Sequence, residues 1–189
     1  TLHTAQLFDP ATGQVTDVSP PVSLQHDMFC SAHVVGPDGE VFVAGGLEWG
    51  SPKIGYGTEL TALFDPDTGQ WSAGPAMAVP RWYPTLATLP GGDSLIVAGD
   101  AQPGVQDGLM ERFDFGTRSI TPEPATATKT MLAYPRMFVL PDGRLIRVGQ
   151  EQRAMFYEAK TSTWTAGPAM IAGSRIRGSY VLLPGLDRI

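Results

Sequence analysis

A thiol and a phenol occupy matching positions in two neighbouring repeats of this chain. Cys30, the only cysteine, stands seven residues before Pro37, and Tyr83 stands seven residues before Pro90. Each proline opens the same kind of turn, and side chains alternate along a strand, so equal offsets predict equal height and equal facing on adjacent strands. A cysteine and a tyrosine placed side by side in this way indicate redox-active metal chemistry.

The two prolines belong to an internal repeat of two short strands joined by a tight turn. Copies lie at 33–46, 86–100 and 137–150, and a fourth begins at Tyr180. The turns read Pro-Asp-Gly or Pro-Gly-Gly, whose glycines supply the positive φ angles of a tight hairpin. The first strand of each copy is expected to be the innermost strand of its unit and to line a central channel.

A second repeated element follows each hairpin and supplies two further strands. Its copies, of the type Phe-Asp-Pro followed by Thr-Gly, lie at 7–15, 63–71, 112–120 and 156–164. The aspartate, threonine and glycine residues are turn formers. Together the two elements make a four-stranded unit of about 43–56 residues, the size of a kelch-type propeller blade.

The repeats predict an all-β fold, a kelch-type β-propeller that is only partly present. We expect three full blades, at about 28–74, 82–123 and 134–167. The outer strands of one further blade precede them at about 1–20, and the inner strand of another follows at about 177–189. Propellers close with typically 4–8 blades. The chain is therefore expected to be a piece of a larger propeller, whose remaining blades would complete it. A half-ring completed by a second copy is the alternative.

Composition narrows the class of protein. The chain has 189 residues and a net charge of −6, with no basic stripe of the kind that binds nucleic acid. No apolar run approaches the roughly 20 residues that span a bilayer, so no membrane partner is expected. No signal peptide is visible at the start. One cysteine excludes an intrachain disulfide.

The same count brings two more residues to the mouth of the channel that Cys30 and Tyr83 share. Tyr134 precedes Pro141 by seven residues, and Arg177 has the same spacing from the proline of the last repeat. Tyr134 repeats the Tyr-Pro pair of the Tyr83 segment, so such a tyrosine has an alternative, structural role in starting the inner strand. The loop at 47–57 is expected to bring Trp49 and Tyr56 towards the same mouth.

Two short segments around these residues carry a family resemblance. His-Asp-Met-Phe-Cys at 26–30 and Arg-Trp-Tyr-Pro-Thr at 81–85 resemble the copper radical oxidases, the galactose oxidase and glyoxal oxidase family. The resemblance implies that Cys30 forms a thioether bond to the ring of Tyr83. It also implies that Tyr83 binds copper and holds a radical. Trp82 or Trp49 would serve as the aromatic lid over that tyrosine.

The resemblance further implies an extracellular oxidase that converts a primary alcohol or aldehyde with O₂ into the oxidised product and hydrogen peroxide. The family's copper also requires a Tyr-His pair, which this sequence lacks, and a further histidine that the family supplies from later in the chain. His26 is the one histidine expected near the mouth. It is expected to form a hydrogen bond near the start of a strand rather than to bind the metal. The chain alone is therefore expected to be inactive. The alternative is a non-catalytic kelch-type propeller that binds a protein or glycan through its loops.

Overall fold

The computed structural model describes residues 4–48, 55–175, 178–183 and 185, and strands dominate it. A hairpin of β1 (Gln6–Phe8) and β2 (Val15–Asp17) comes first. The first four-stranded sheet comprises β3 (Ala32–Val35), β4 (Val41–Ala44), β5 (Thr61–Asp65) and β6 (Gln70–Ala73). The second comprises β7 (Thr85–Thr88), β8 (Ser94–Val97), β11 (Glu111–Asp114) and β12 (Ser119–Pro122), with a small hairpin of β9 (Asp100–Gln102) and β10 (Val105–Gln106) inserted.

The third sheet comprises β13 (Arg136–Val139), β14 (Leu145–Val148), β15 (Arg153–Glu158) and β16 (Thr163–Ala169). Each sheet is antiparallel, and its strands follow one another in chain order. Two 3₁₀ turns, Val22–Leu24 and Ala125–Ala127, complete the elements. These three sheets confirm the predicted all-β, kelch-type architecture of a partial propeller. No helix in the described part of the chain is long and apolar enough to cross a membrane.

The end of the chain differs from the expected pattern where the structure describes it. Residues 178–183 contain no strand, although the repeat predicts an inner strand at 177–189. Arg177 and the residues at 184 and 186–189 lie outside the described residues.

The blades are ordered around an axis by their first strands. β7 contacts β3 on one side and β13 on the other. The hairpin that leads out of each first strand turns through a glycine with positive φ, at Gly39 (88°), Gly92 (99°) and Gly143 (86°). Glycine adopts this conformation without a steric penalty. The Pro-Asp-Gly and Pro-Gly-Gly sequences thus end every inner strand at the same point.

Hydrophobic cores lie between successive blades. Phe42 and Phe113 stack between the first and second blades, with ring centroids 3.9 Å apart and an angle of 2° between the ring planes. Leu95 and Val97 of β8 pack towards Leu145 of the third blade. Alternate residues of each second strand therefore face opposite neighbours, as the period of a strand requires.

A buried carboxylate links the outer part of the second blade to the third. Glu123 accepts hydrogen bonds from Arg112 Nε (2.7 Å), the Tyr157 hydroxyl (2.7 Å) and the Ser162 hydroxyl (2.9 Å). Burial alone would raise the pKa of Glu123, but these three donors outweigh it and hold the pKa below its ordinary value. The ionised form of Glu123 is therefore favoured in the folded protein.

Replacing Glu123 by glutamine is expected to weaken the dependence of stability on acidic pH. Because the folded-state pKa lies below the ordinary value of 4.5, the unfolded chain binds more protons as pH falls through this range. Wild-type stability should therefore be fully present above about pH 4.5 and fall progressively below it. Urea unfolding between about pH 3 and 6 measures the difference.

The exposed carboxylate of Asp67, changed to asparagine, serves as the control for this prediction. That variant should follow the wild-type pH curve. Parallel curves for wild type and Glu123→Gln would contradict the assigned contribution of Glu123.

Candidate active site

Three residues at the start of the inner strands form a backbone ladder across the blades. Cys30, Tyr83 and Tyr134 each lie two residues before β3, β7 and β13. The Tyr83 amide donates to the Cys30 carbonyl (3.1 Å), and the Tyr134 amide donates to the Tyr83 carbonyl (2.9 Å). The structure therefore brings the three residues to one height, side by side, as their spacing predicts.

These three residues also share an uncommon backbone conformation. Their φ angles are 60° for Cys30, 62° for Tyr83 and 51° for Tyr134. A side chain in the left-handed region costs of the order of 1–3 kcal/mol and persists where the surroundings fix it. Such residues are concentrated at functional sites, so the shared conformation marks this end of the inner strands as a candidate site.

Aromatic rings surround Tyr83 on two sides. The Trp82 ring lies 4.0 Å from the Tyr83 ring between centroids, tilted by 33°. The Tyr134 ring meets Tyr83 edge-on at 5.0 Å and 66°. We call Cys30, Trp82, Tyr83 and Tyr134 the mouth cluster.

Trp82 is held in place from both its backbone and its ring. Its amide and carbonyl exchange hydrogen bonds with Asp100, at 2.9 and 2.7 Å. Its ring packs so closely on Gly55 that a Cβ at that glycine would lie 2.8 Å from it. The described end of the 47–57 loop thus covers Trp82. The other predicted lid residue, Trp49, lies outside the described residues.

Tyr134 reaches across the mouth from the third blade to the first. Its hydroxyl donates to the Ser31 carbonyl at 3.2 Å. Burial raises the pKa of Tyr134, and the nearby Cys30 and Tyr83 add to the increase. The spacing from the turn proline predicts that Tyr134 lies level with Cys30 and Tyr83, and the repeated Tyr-Pro pair leaves a structural role in starting the inner strand as the alternative. The structure shows that its side chain joins the cluster.

Cys30 is a free, half-buried cysteine in this cluster. Its carbonyl oxygen accepts the hydrogen bond from the Tyr83 amide of the next blade. A thiol among phenols in a partly covered site can undergo oxidation to a covalent product when an oxidant is supplied.

A buried ion pair anchors the segment that leads into Tyr83. The Arg81 and Glu111 side chains are each 1% exposed and lie 2.9 Å apart between Nη2 and Oε2. Arg81 also donates to the carbonyls of Ala98 (2.6 Å) and Leu109 (2.7 Å). The second carboxylate oxygen of Glu111 accepts from the Ala78 amide at 2.7 Å. Sequence reasoning found Arg81 only as part of a family-like segment and missed this anchoring.

The histidines contribute little to a metal centre where they are described. His26 is buried and its Nε2 lies 2.7 Å from the Gly45 carbonyl oxygen, which fixes the first blade locally. His33 is exposed on β3, and His3 lies outside the described residues.

Copper was the expected metal, with Tyr83 as one ligand. Among the described residues, no group of three or more histidine, cysteine, aspartate or glutamate side chains could hold a metal ion. Tyr83 offers a phenol oxygen, but the imidazole ligands that copper prefers are not gathered around it. The described residues therefore do not fit a copper site by themselves.

Sequence comparisons relate most of the chain to oxidases and to a kelch protein. A protein of Artemisia annua, Art an 7, named provisionally as an aldehyde oxidase, is 28% identical over 87% of this chain. Galactose oxidase of Gibberella zeae is 27% identical over 86% of it. The kelch-like protein terF of Aspergillus terreus is 30% identical over 60% of it. The chain spans only 29%, 21% and 25% of the lengths of these relatives.

The fold agrees with these relatives. A fungal alcohol oxidase of the AA5 family, solved in complex with copper, superposes with a TM-score of 0.69 over 90% of this chain and 36% of that one. Its sequence identity of 18% makes this a likeness of fold. No family model matches the chain. In its repeats, its sequence and its fold, the chain is similar to galactose oxidase-like kelch proteins, and it spans a part of the length of these relatives.

Proposed function

We propose that the chain is part of a copper radical oxidase that acts on a primary alcohol or an aldehyde. One observation carries the proposal: Cys30 and Tyr83 lie side by side at the mouth, in the two segments that resemble the oxidases. The oxidase names of two relatives support the same class of reaction. An extracellular location belongs to the same proposal.

The proposed reaction removes two electrons and two protons from the substrate. A primary alcohol and O₂ give an aldehyde and hydrogen peroxide. An aldehyde, water and O₂ give a carboxylic acid and hydrogen peroxide. Bound copper would supply one of the two one-electron centres. In this chain, Tyr83 would supply the other, linked to Cys30 by a thioether, and Trp82 would limit the access of water to its ring.

The missing copper ligands would come from parts of the protein beyond the described residues. The third blade offers a place for another blade. Ile146 and Val148 occupy the positions in β14 that Leu95 and Val97 occupy in β8, where they pack against the next blade. They line an apolar groove of about 600 Å³. We infer that the remaining blades of the same propeller pack here, in preference to a second copy.

Exposure of the full-length protein to copper and O₂ is expected to link Cys30 to Tyr83. Thioether formation removes the thiol hydrogen and one ring hydrogen, so the intact mass should fall by two hydrogen atoms. Digestion should then yield a linked peptide that contains both residues. Mass spectrometry before and after exposure measures both changes.

Cys30→Ser and Tyr83→Phe should each abolish the linked peptide, whereas Tyr157→Phe, which changes a tyrosine in another blade, should keep it. Peroxide formation from a panel of primary alcohols and aldehydes then identifies the substrate class. Quantitative alkylation of Cys30 after copper exposure would overturn the proposal. The chain would then be better interpreted as a non-catalytic propeller.

A further inference from the structure

We propose that Asp100 is a positioning residue, whose buried carboxylate fastens a clasp around Trp82 and thereby keeps the Trp82 ring on the Tyr83 ring. The clasp consists of residues 55–57 and of the β9–β10 hairpin at 100–106. The proposal deepens the proposed function, in which Trp82 limits the access of water to Tyr83. It rests on that function for its chemical use and on the contacts below for its geometry.

The first step of the argument is that the Asp100 carboxylate holds the hairpin in shape. Asp100 is 8% exposed. Its Oδ2 accepts from the Gly104 amide at 3.0 Å, and its Oδ1 accepts from the Gln106 Nε2 at 2.7 Å. Gly104 lies in the turn and Gln106 in the second strand, so one carboxylate ties both to the first strand. Hydrogen bonds to an ionised acceptor are stronger than neutral ones.

The second step is that Asp100 joins this hairpin to the segment that leads into Tyr83. The Asp100 and Trp82 backbones exchange hydrogen bonds at 2.9 and 2.7 Å. The Gly57 amide donates to the Ala101 carbonyl at 3.1 Å. A Cβ at Gly57 would lie 2.5 Å from the Asp100 carbonyl oxygen and 2.6 Å from the Trp82 amide nitrogen. The three segments of the chain are therefore in direct contact at this point.

The third step is that the clasp encloses the indole ring of Trp82. A Cβ at Gly55 would lie 2.8 Å from this ring and 3.1 Å from Pro103 of the hairpin, so the backbone at Gly55 lies against both. The indole Nε1 is buried and has no hydrogen-bond partner in the part of the chain that the structure describes. Packing and the backbone therefore hold the ring at 4.0 Å from the Tyr83 ring.

The fourth step connects the carboxylate to the position of the ring. A buried N–H group without a partner costs free energy, so water would stabilise Trp82 in an open position. The clasp opposes that opening. Local openings of this kind are set by the few contacts that hold a loop in place. Loss of the Asp100 carboxylate is therefore expected to raise the population in which the Trp82 ring leaves Tyr83.

The first test is hydrogen exchange in the metal-free, full-length protein, followed at the amides of Trp82 and Gly57. Neither amide is bonded to the Asp100 side chain, so both report on the whole clasp. Asp100→Ala removes two hydrogen bonds and is expected to raise the two exchange rates about twentyfold. Gln106→Ala removes one of them and should raise the rates about fivefold. The amides of β14, in the third blade, should exchange at the wild-type rate.

Two variants serve as controls, and Gln106→Ala carries the test if Asp100→Ala does not fold. Asp100→Asn keeps an acceptor for the Gly104 amide, and the Gln106 amide can turn so that its oxygen accepts from the new NH₂ group. This variant should stay close to the wild type. Asp67→Ala removes an exposed carboxylate from the first blade and matches the change in net charge. It should leave the exchange rates unchanged.

The second test measures the exposure of the Trp82 side chain directly. Hydroxyl radicals oxidise accessible aromatic side chains, and mass spectrometry of peptides locates the products. Trp82 should be oxidised several-fold faster in Asp100→Ala than in the wild type or in Asp100→Asn. Trp164, on β16 of the third blade, should be oxidised at the same rate in all three proteins.

The outcomes separate the clasp from a local or a general structural role and from the oxidase proposal. Faster exchange at Gly104 alone would overturn the clasp, because Asp100 would then shape only its own hairpin. A uniform rise that includes the β14 amides would overturn it as well, since Asp100 would then stabilise the whole fold. Neither test requires a metal or turnover. Release of Trp82 in Asp100→Ala would therefore support the clasp even if Cys30 and Tyr83 never become linked, a result that overturns the oxidase proposal alone.

Discussion

Replacing Glu111 by alanine is expected to lower the free energy of unfolding by about 3–5 kcal/mol. The change removes the charge that faces Arg81, while the Arg81 guanidinium stays in a site where its side chain is 1% exposed. Burial lowers the pKa of Arg81, and Glu111 is the main opposing influence through its hydrogen bond and its charge. An arginine stays protonated in proteins, so the variant buries an uncompensated cation. Urea unfolding at neutral pH measures the loss.

Glu111→Gln is the matched control for this prediction. Glutamine keeps the shape but removes the charge, and its NH₂ group would face either the Arg81 guanidinium or the Ala78 amide, which are both donors. The variant should therefore keep most of the loss seen in Glu111→Ala, which separates the lost charge from the lost packing. Ion pairs exposed to solvent contribute at most about 1 kcal/mol to stability. If Glu111→Ala lowered the free energy of unfolding by less than this amount, the result would contradict the anchoring role of the Arg81–Glu111 pair. The effect matters for the site because Arg81 lies two residues before Tyr83.

Replacing Phe113 by alanine is expected to lower the free energy of unfolding by about 3–5 kcal/mol. Phe113 is fully buried and stacks on Phe42 of the neighbouring blade. The substitution removes apolar contacts and leaves a cavity between two rigid sheets that cannot close around it. Thermal and urea unfolding measure the change.

A double-mutant cycle with Phe42→Ala separates the ring stack from simple burial. The two substitutions should be non-additive, with a coupling of about 0.5–1.5 kcal/mol. Phe8→Ala is the control, because Phe8 is 65% exposed, and it should change stability by less than about 0.5 kcal/mol. Strict additivity would contradict a direct contribution from the stack. This interface also holds together the blades that carry Cys30 and Tyr83.

The blade architecture was predictable because it depends on local signals. Turn prolines and glycines recur at fixed distances from β-branched and apolar runs, and each signal acts within a few residues. Counting back from those prolines also predicted that Cys30, Tyr83 and Tyr134 lie side by side. The backbone hydrogen bonds between them agree with that count.

The contacts that define the site depend on residues far apart in the chain. Arg81 and Glu111 are separated by 30 positions, and the Tyr134 hydroxyl and Ser31 carbonyl by 103. No periodic pattern records such pairs, because each occurs once. The packing of Gly55 on the Trp82 ring likewise follows from the path of a loop. The roles of Cys30, Tyr83 and Trp82 in oxidation remain predictions from the resemblance.

The left-handed backbone of the three mouth residues has a consequence for protein engineering. Glycine would adopt this conformation without the steric cost that a side chain carries, and a β-branched residue would carry the largest cost. The residue types that these three positions accept are therefore restricted by the backbone as well as by the chemistry. A redesign of the mouth cluster has to choose among residues that tolerate the left-handed region, and valine, isoleucine and threonine are the poorest choices.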